Sequence, residues 1–274
     1  MEKSLLNTKR SYLVPILLYL SFTVWWLYIR HLDLESTRNA RQIWGATYQL
    51  LALYGGIVGL IISQKWGGYK SLLGKIILVF SLGLLLQVFG QTYSSYYVFH
   101  YVVESPPYPA IGDIGFFGSV LMYIYGVFLL SKVSGVGVSL RKLHNKIFAF
   151  LIPCIILCSS YFFFLQGYAF DWSNPIKVIL DFGYPFGQAF YVSIAILSLS
   201  MSWHVLGGVM KKSILILIFA LLFQYFSDSM FLYQSNQGNW FVGNINDFLY
   251  ATSYFIMAIS LINFGETFKR IKNS

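Results

Sequence analysis

Residues 112–131 read GDIGFFGSVLMYIYGVFLLS: one aspartate, Asp113, followed by eighteen residues with no charge. About 20 helical residues cross the roughly 30 Å hydrocarbon layer of a bilayer, so this stretch has the length and composition of a transmembrane helix with a carboxylate at one end. Apolar runs of the same kind recur along the chain, at roughly 11–29, 43–63, 72–99, 112–131, 146–166, 176–202, 213–234 and 242–264. Of the 274 residues, 57% are hydrophobic and only 11% are charged, which excludes an ordinary soluble domain. The expected fold is an all-α polytopic membrane protein of about eight transmembrane helices, forming one domain over residues 1–274. The basic start MEKSLLNTKR lacks a small-residue cleavage site after its apolar run, so the first span reads as a retained helix and not as a signal peptide. Only GETFKRIKNS follows the last expected span.

Working outward from Asp113, the same pattern returns twice, in LDFGYPFGQAFYVSI around Asp181 and in NDFLYATSYFIMAIS around Asp247. The spacings are 181 − 113 = 68 and 247 − 181 = 66 residues. A carboxylate at membrane depth is costly, by a few kcal/mol on insertion scales, so its repetition implies repeated structural units. Pairing the spans gives helical hairpins over approximately 11–63, 72–131, 146–202 and 213–264, the first a degenerate copy without the acid. The ascending members carry polar residues one turn apart: Gln87 and Gln91 on the third span, Gln224 and Asp228 on the seventh. Four such hairpins would form a parallel-repeat bundle.

The formal charge of +9 is distributed as membrane topology requires. With the N-terminus inside, only Arg30, Arg38, Arg41 and Lys177 of the 19 basic residues fall on the outer side. Eight of the ten acids do, all but Glu2 and Glu266. The positive-inside rule then places both termini in the cytoplasm of a cell (plasma or inner) membrane protein, and basic flanks of this kind imply no nucleic acid. The expected partners are the lipid bilayer and a membrane or cytoplasmic protein at the basic inner face, with a possible small-molecule ligand at the outer face.

Asp113 and Asp247 stand where helices should begin, so each has an alternative role as a cap at the positive end of a helix dipole. Asp181 lies more than a turn inside a helix that should begin near Pro175, and Lys177 four residues earlier can pair with it. Asp228 has no cap explanation, because it sits near the exit end of its span; it must be neutral, hydrogen-bonded, paired with an outer arginine or facing water. Glu104, beside Pro106 and Pro107, reads as a solvated loop residue. Tyr93, Tyr96, Tyr97, Tyr101, Tyr108, Tyr184, Tyr233 and Tyr250 form a denser outer cluster than an interfacial belt needs, and tyrosines beside carboxylates suit an amphipathic or cationic ligand. Trp25, Trp26, Trp172, Trp203 and Trp240 read as belt residues near span ends. Cys154 and Cys158, four apart in one span, read as packing residues. The histidines His31, His100, His144 and His204 are split between the two sides, and no HExxH, GxSxG or CxxC motif is present, so neither enzyme chemistry, a metal nor a cofactor is expected.

The descending helices resemble a known module. PPYPAIGDIGFFGSVLMYIYG, NPIKVILDFGYPFGQAF and FSDSMFLYQSNQGNWFVGNINDFLYATSYFIMA are similar, in order and spacing, to the signature elements of a multi-helix membrane sensor module found ahead of PAS, histidine-kinase and GGDEF domains in bacterial and archaeal signalling proteins. The likeness covers roughly residues 80–265. It matches Tyr108, Pro109 and Asp113 to the first element, Asp181, Tyr184 and Pro185 to the second, and Asp228, Gly238, Asn244 and Asp247 to the third. Gln91 and Gln188 stand where relatives often carry acids, and with about ten residues after the last span no output domain is expected. The resemblance implies a sensor-like architecture without a defined stimulus.

The leading expectation is therefore a non-enzymatic sensory or ligand-binding membrane protein that signals through a partner. Its outer cavity would be lined by Asp113, Asp181, Asp228, Asp247, Tyr108, Tyr184 and Gln91. A structural or scaffold subunit of a larger membrane complex is the alternative, with the aspartates as caps and ties. A transporter is the third, disfavoured because the polar residues gather near one face.

Overall fold

The computed structural model describes residues 8–32, 36–103, 106–133, 143–166, 168, 170, 172–202 and 210–273. Among these the structure is helical and without strands. The helices are α1 (Thr8–Arg30), α2 (Arg38–Thr47), α3 (Leu50–Lys65), α4 (Leu72–Tyr101), α5 (Gly112–Val133), α6 (Leu143–Ser160), α7 (Pro175–Ser202), α8 (Lys211–Asn236) and α9 (Ile245–Asn273). Helices α2 and α3 meet at a slight turn and count as one span, so eight segments are long and apolar enough to cross a membrane. Glu104, Trp203 and His204 lie outside the described residues.

The boundaries follow local chemistry. Ser71 caps α4, its hydroxyl accepting the Gly74 N–H at 2.9 Å. Pro175 opens α7, where its missing N–H costs nothing. The last helix runs well past residue 264, through GETFKRIKN to Asn273. That extension is held by an Arg270–Glu266 pair at 2.5 Å, by the Tyr12 hydroxyl donating to Glu266 at 3.2 Å, and by Thr267 buried against Ser213.

Six of the spans close into a ring. Helix α3 packs on α4, α4 on α5, α5 on α7, α7 on α8, α8 on α9, and α9 returns to α3. Outside it, α1 leans mainly on α9 and α6 on α7. Burial follows this plan: the most apolar windows of α1 and α6 are 22% and 6% buried, those of the other six spans 44–56%. The exposed faces of α1 and α6 suit lipid contact. Cys154 and Cys158 sit on α6 as free thiols, the first partly buried and the second exposed, so only Cys154 packs in part against the protein. The largest fully buried side chains, among them Trp44, Tyr123, Tyr191, Tyr254 and Phe80, fill the ring.

The chain order of these roles is peripheral span, then three ring spans, and then the same again. Aspartate spacing alone suggests pairs of spans; the packing groups them in fours. Asp113 near the start of α5 corresponds to Asp247 near the start of α9, at 247 − 113 = 134 residues, and Ser119 corresponds to Ser253 at the same offset. Each half joins its last two spans by a glutamine–serine hydrogen bond, with the direction reversed between the halves. Gln87 on α4 donates to Ser119 on α5 at 2.6 Å, and Ser253 on α9 donates to Gln224 on α8 at 2.8 Å. Four spans per half return the chain to the side it started from, so the halves share one orientation, as parallel repeats do.

Candidate functional site

The C-terminal ends of α4 and α8 and the N-terminal ends of α5, α7 and α9 meet at one end of the ring. They enclose a cavity of about 500 Å³ whose lining includes Asp113, Asp181, Asp228, Asp247, Tyr108, Tyr184 and Gln91. Of these, Gln91 and Asp247 lie 247 − 91 = 156 positions apart in sequence and share one wall.

Asp181 forms the most heavily bonded group. Its carboxylate accepts the Tyr108 hydroxyl at 2.8 Å, the Tyr168 hydroxyl at 2.6 Å and the Lys177 ammonium at 2.8 Å. The lysine nitrogen also lies 5.9 Å and 5.7 Å from the ring centres of Tyr108 and Tyr168, within cation–π range. Burial and the Asp181 carboxylate push the Tyr108 phenol well above its usual range. Asp181 raises Tyr168 chiefly by accepting its hydrogen bond. Raised phenols stay protonated, so the two tyrosines donate throughout neutral pH, and alkaline pH that ionises them loosens this tether. The side chains of Lys177 and Asp181 keep 40% and 18% of their surface exposed. Lys177→Met is therefore expected to cost less than about 1 kcal/mol of stability, measured as a small fall in melting temperature in detergent.

Asp113 has two partners. One oxygen accepts the Ala110 N–H at 2.8 Å and fastens the turn before α5, and the other accepts the Tyr184 hydroxyl at 2.9 Å and ties α5 to α7. Asp247 is 5% exposed, and its Oδ2 accepts the Gly243 N–H at 2.7 Å. Both carboxylates thus reach back to the chain before their helix, as the third residue of a capping box does. Among the described residues no donor reaches Asp247 Oδ1. Asp228 accepts from Gln224 Nε2 one turn earlier, at 3.2 Å and 3.3 Å, and from the Tyr250 hydroxyl of α9 at 2.7 Å. Among the described residues no arginine pairs with it.

Gln91 spends its amide on the scaffold, donating to the Gly45 carbonyl of α2 at 3.0 Å. Gln87 accepts the Tyr254 hydroxyl at 3.0 Å and joins α4 to α9 across the ring. Gln188, one turn after Tyr184, is 3% exposed, and among the described residues its Oε1 has no partner. The indole Nε1 of Trp240, also in the lining, has none either.

Tyr93, Tyr96, Tyr97, Tyr101 and Tyr233 are not in the lining. The first four belong to an aromatic ladder along α4, with Tyr97 and Tyr101 centred 4.5 Å apart. Two of the tryptophans read as belt residues are also placed otherwise. Trp26 is buried and donates to the Gly243 carbonyl at 3.0 Å, and Trp240 faces the cavity; Trp172 is 71% exposed. Conversely, Tyr48, Tyr168 and Tyr254 line the cavity without having been singled out by sequence. Helical spacing is the signal for one of them, since Tyr254 follows Tyr250 by one turn. Tyr168 lies in a connection where no periodicity applies.

Among the described residues no three His, Cys, Asp or Glu side chains stand close enough together to hold a metal ion. The four carboxylates are spread around the wall, each on its own helix.

No family model, curated protein or solved structure matches this chain. The chemistry of the site is therefore read from its geometry. Its wall offers carboxylates, phenols and amides around an apolar volume the size of a small-molecule pocket.

Proposed function

We propose that this multi-pass membrane protein binds a small ligand in the aspartate-lined cavity and passes the state of that cavity to a partner, as a membrane sensor does. The observation that supports this best is the convergence of Asp113, Asp181, Asp228 and Asp247, from four separate helices, on one cavity of about 500 Å³. Intramembrane carboxylates are expensive and are kept where they face a ligand or water path. In this reading the cavity opens at the outer face, both termini are cytoplasmic, and the partner docks on the basic inner segments of a cell-membrane protein. The ring is suited to transmission: α8 and α9 carry Asp228 and Asp247 at the cavity end and Lys211, Lys269, Arg270 and Lys272 at the other.

Asp228→Asn and Asp181→Asn are expected to reduce ligand-dependent or pH-dependent thermal stabilisation of the purified protein. Variants that both follow the parent across pH and candidate ligands would remove the case for a site. The scaffold reading has its own support, because each carboxylate also holds a hydrogen bond within the fold. It predicts a stoichiometric partner after purification in mild detergent, and a monomeric preparation with a small molecule bound would exclude it.

A further inference from the structure

We propose that the ligand of this cavity is an organic ammonium ion that carries N–H groups, an alkyl- or arylalkylamine in its protonated form. This rests on the ligand-binding reading above and adds the chemical class.

The wall is formally anionic. Asp113, Asp181, Asp228 and Asp247 face Lys177 alone among described cationic side chains in the lining, a formal sum of −4 + 1 = −3. Lys177 is engaged at Asp181, and no described lysine or arginine stands within ion-pair distance of Asp113, Asp228 or Asp247. An anionic ligand would meet like charge on several sides.

An independent observation points to a donor. Gln188 is 3% exposed, lines the cavity, and its Oε1 has no partner among the described residues. A buried acceptor left unmade costs about 1–3 kcal/mol, and a ligand N–H relieves that cost. Asp247 Oδ1 is a second acceptor that no described donor reaches. Both accept hydrogen bonds, which the N–H groups of a protonated amine supply and a quaternary ammonium cannot.

Size and wall chemistry favour an organic cation over a bare metal ion. The carboxylates are too dispersed to share one, whereas about 500 Å³ suits an organic molecule. Phe116, Trp240, Tyr250 and Tyr254 supply apolar and aromatic surface for its carbon skeleton. The protein itself shows how this wall treats an ammonium. Lys177 Nζ sits on Asp181 at 2.8 Å beside the rings of Tyr108 and Tyr168, and Asp228 with Tyr250 repeats the carboxylate–phenol pair without a cation.

The test uses the full chain in detergent and four probes of nearly one shape: 2-phenylethylammonium, its N,N,N-trimethyl analogue, 2-phenylethanol and 3-phenylpropionate. Calorimetric titration and thermal shift are expected to register 2-phenylethylammonium, more weakly the trimethyl analogue, and neither the alcohol nor the carboxylate. Asp228→Asn is expected to weaken the primary ammonium roughly tenfold or more, and Gln188→Glu, which adds a carboxylate, to tighten it several-fold. Should Asp228→Asn misfold, Gln188→Glu alone decides: a folded variant with unchanged ammonium affinity overturns the proposal. Binding of the alcohol or the carboxylate without the ammonium leaves a ligand site but overturns the cation. Equal affinity for the trimethyl analogue overturns the N–H requirement. Silence from all four probes counts against the ligand-binding reading itself.

Discussion

Gly115→Ala is expected to destabilise the protein by about 1–3 kcal/mol, the cost of overpacking a tight contact. Gly118→Ala, three residues along the same helix, is expected to be neutral or stabilising. A Cβ at position 115 would stand 2.5 Å from the Leu86 carbonyl oxygen and 2.7 Å from the Gly90 nitrogen, both backbone atoms of α4. Neither can swing aside as a side chain would. The facing residue has the same constraint, since a Cβ at Gly90 would lie 2.9 Å from the Gly112 carbonyl. Here two helix backbones touch, which small residues allow and which drives helix association where lipid removes the hydrophobic incentive. At Gly118 the nearest atom would be the Leu86 Cδ1 at 3.4 Å, an ordinary contact, and alanine gains up to about 1 kcal/mol of helix propensity. Thermal denaturation of both variants in one detergent, followed by size-exclusion profile, reads the difference. If the two variants melt together, the α4–α5 crossing described here is wrong. The crossing also sets the cavity, because Asp113 lies half a turn from Gly115 and moves with it.

Much of this architecture is legible in the sequence because bilayer physics leaves few solutions. Eight apolar runs give eight spans, since a segment crossing lipid must satisfy its own backbone as a helix. The carboxylates are legible as well: Asp113, Asp181, Asp228 and Asp247 stand out against an apolar background, and all four reach one cavity. Pairing is less legible. The near-equal aspartate spacing suggests hairpin units, and spans adjacent in sequence do pack on one another, but α1 leans more on α9 than on α3, and the order of peripheral and ring spans repeats every four. Spacing records how far apart helices begin and carries nothing about which neighbour each one meets. Tyrosines illustrate the same limit. Tyr101 and Tyr108 are seven residues apart, but the first faces outward at the end of α4 while the second reaches Asp181 across the connection to α5. That choice depends on where the chain turns between helices, and periodicity does not extend into a turn. Tryptophan placement fails for a related reason. Trp26 is near a span end, as a belt residue should be, but a carbonyl from the α8–α9 turn stands in reach of its indole N–H.

Asp247 is expected to separate structure from binding, since its two oxygens have different duties. Oδ2 accepts the Gly243 N–H at 2.7 Å, at a residue whose φ of +82° lies in the left-handed region that favours glycine. The turn fixed in this way is an anchor for the other half of the protein. The Gly243 carbonyl accepts Trp26 Nε1 of α1 at 3.0 Å, and the Val242 carbonyl accepts Arg41 Nη1 of α2 at 3.2 Å. Asp247→Ala strands the buried Gly243 N–H, at a cost of about 1–3 kcal/mol, and loosens the junction between the halves. Asp247→Asn keeps an amide oxygen for that N–H and is expected to cost clearly less. The order of melting temperatures should therefore be parent, then asparagine, then alanine. Ammonium binding should follow a different order, because both variants remove the negative charge from the wall and should weaken 2-phenylethylammonium alike. Equal melting temperatures for the two variants would mean that Oδ2 does not hold the turn. Unchanged ammonium affinity in both would mean that Oδ1 faces no ligand, and Asp247 would then be a helix-start residue and nothing more. Two variants and two readouts thus decide a question that position alone leaves open, because a carboxylate at a helix N-terminus satisfies the chain and faces the cavity at once.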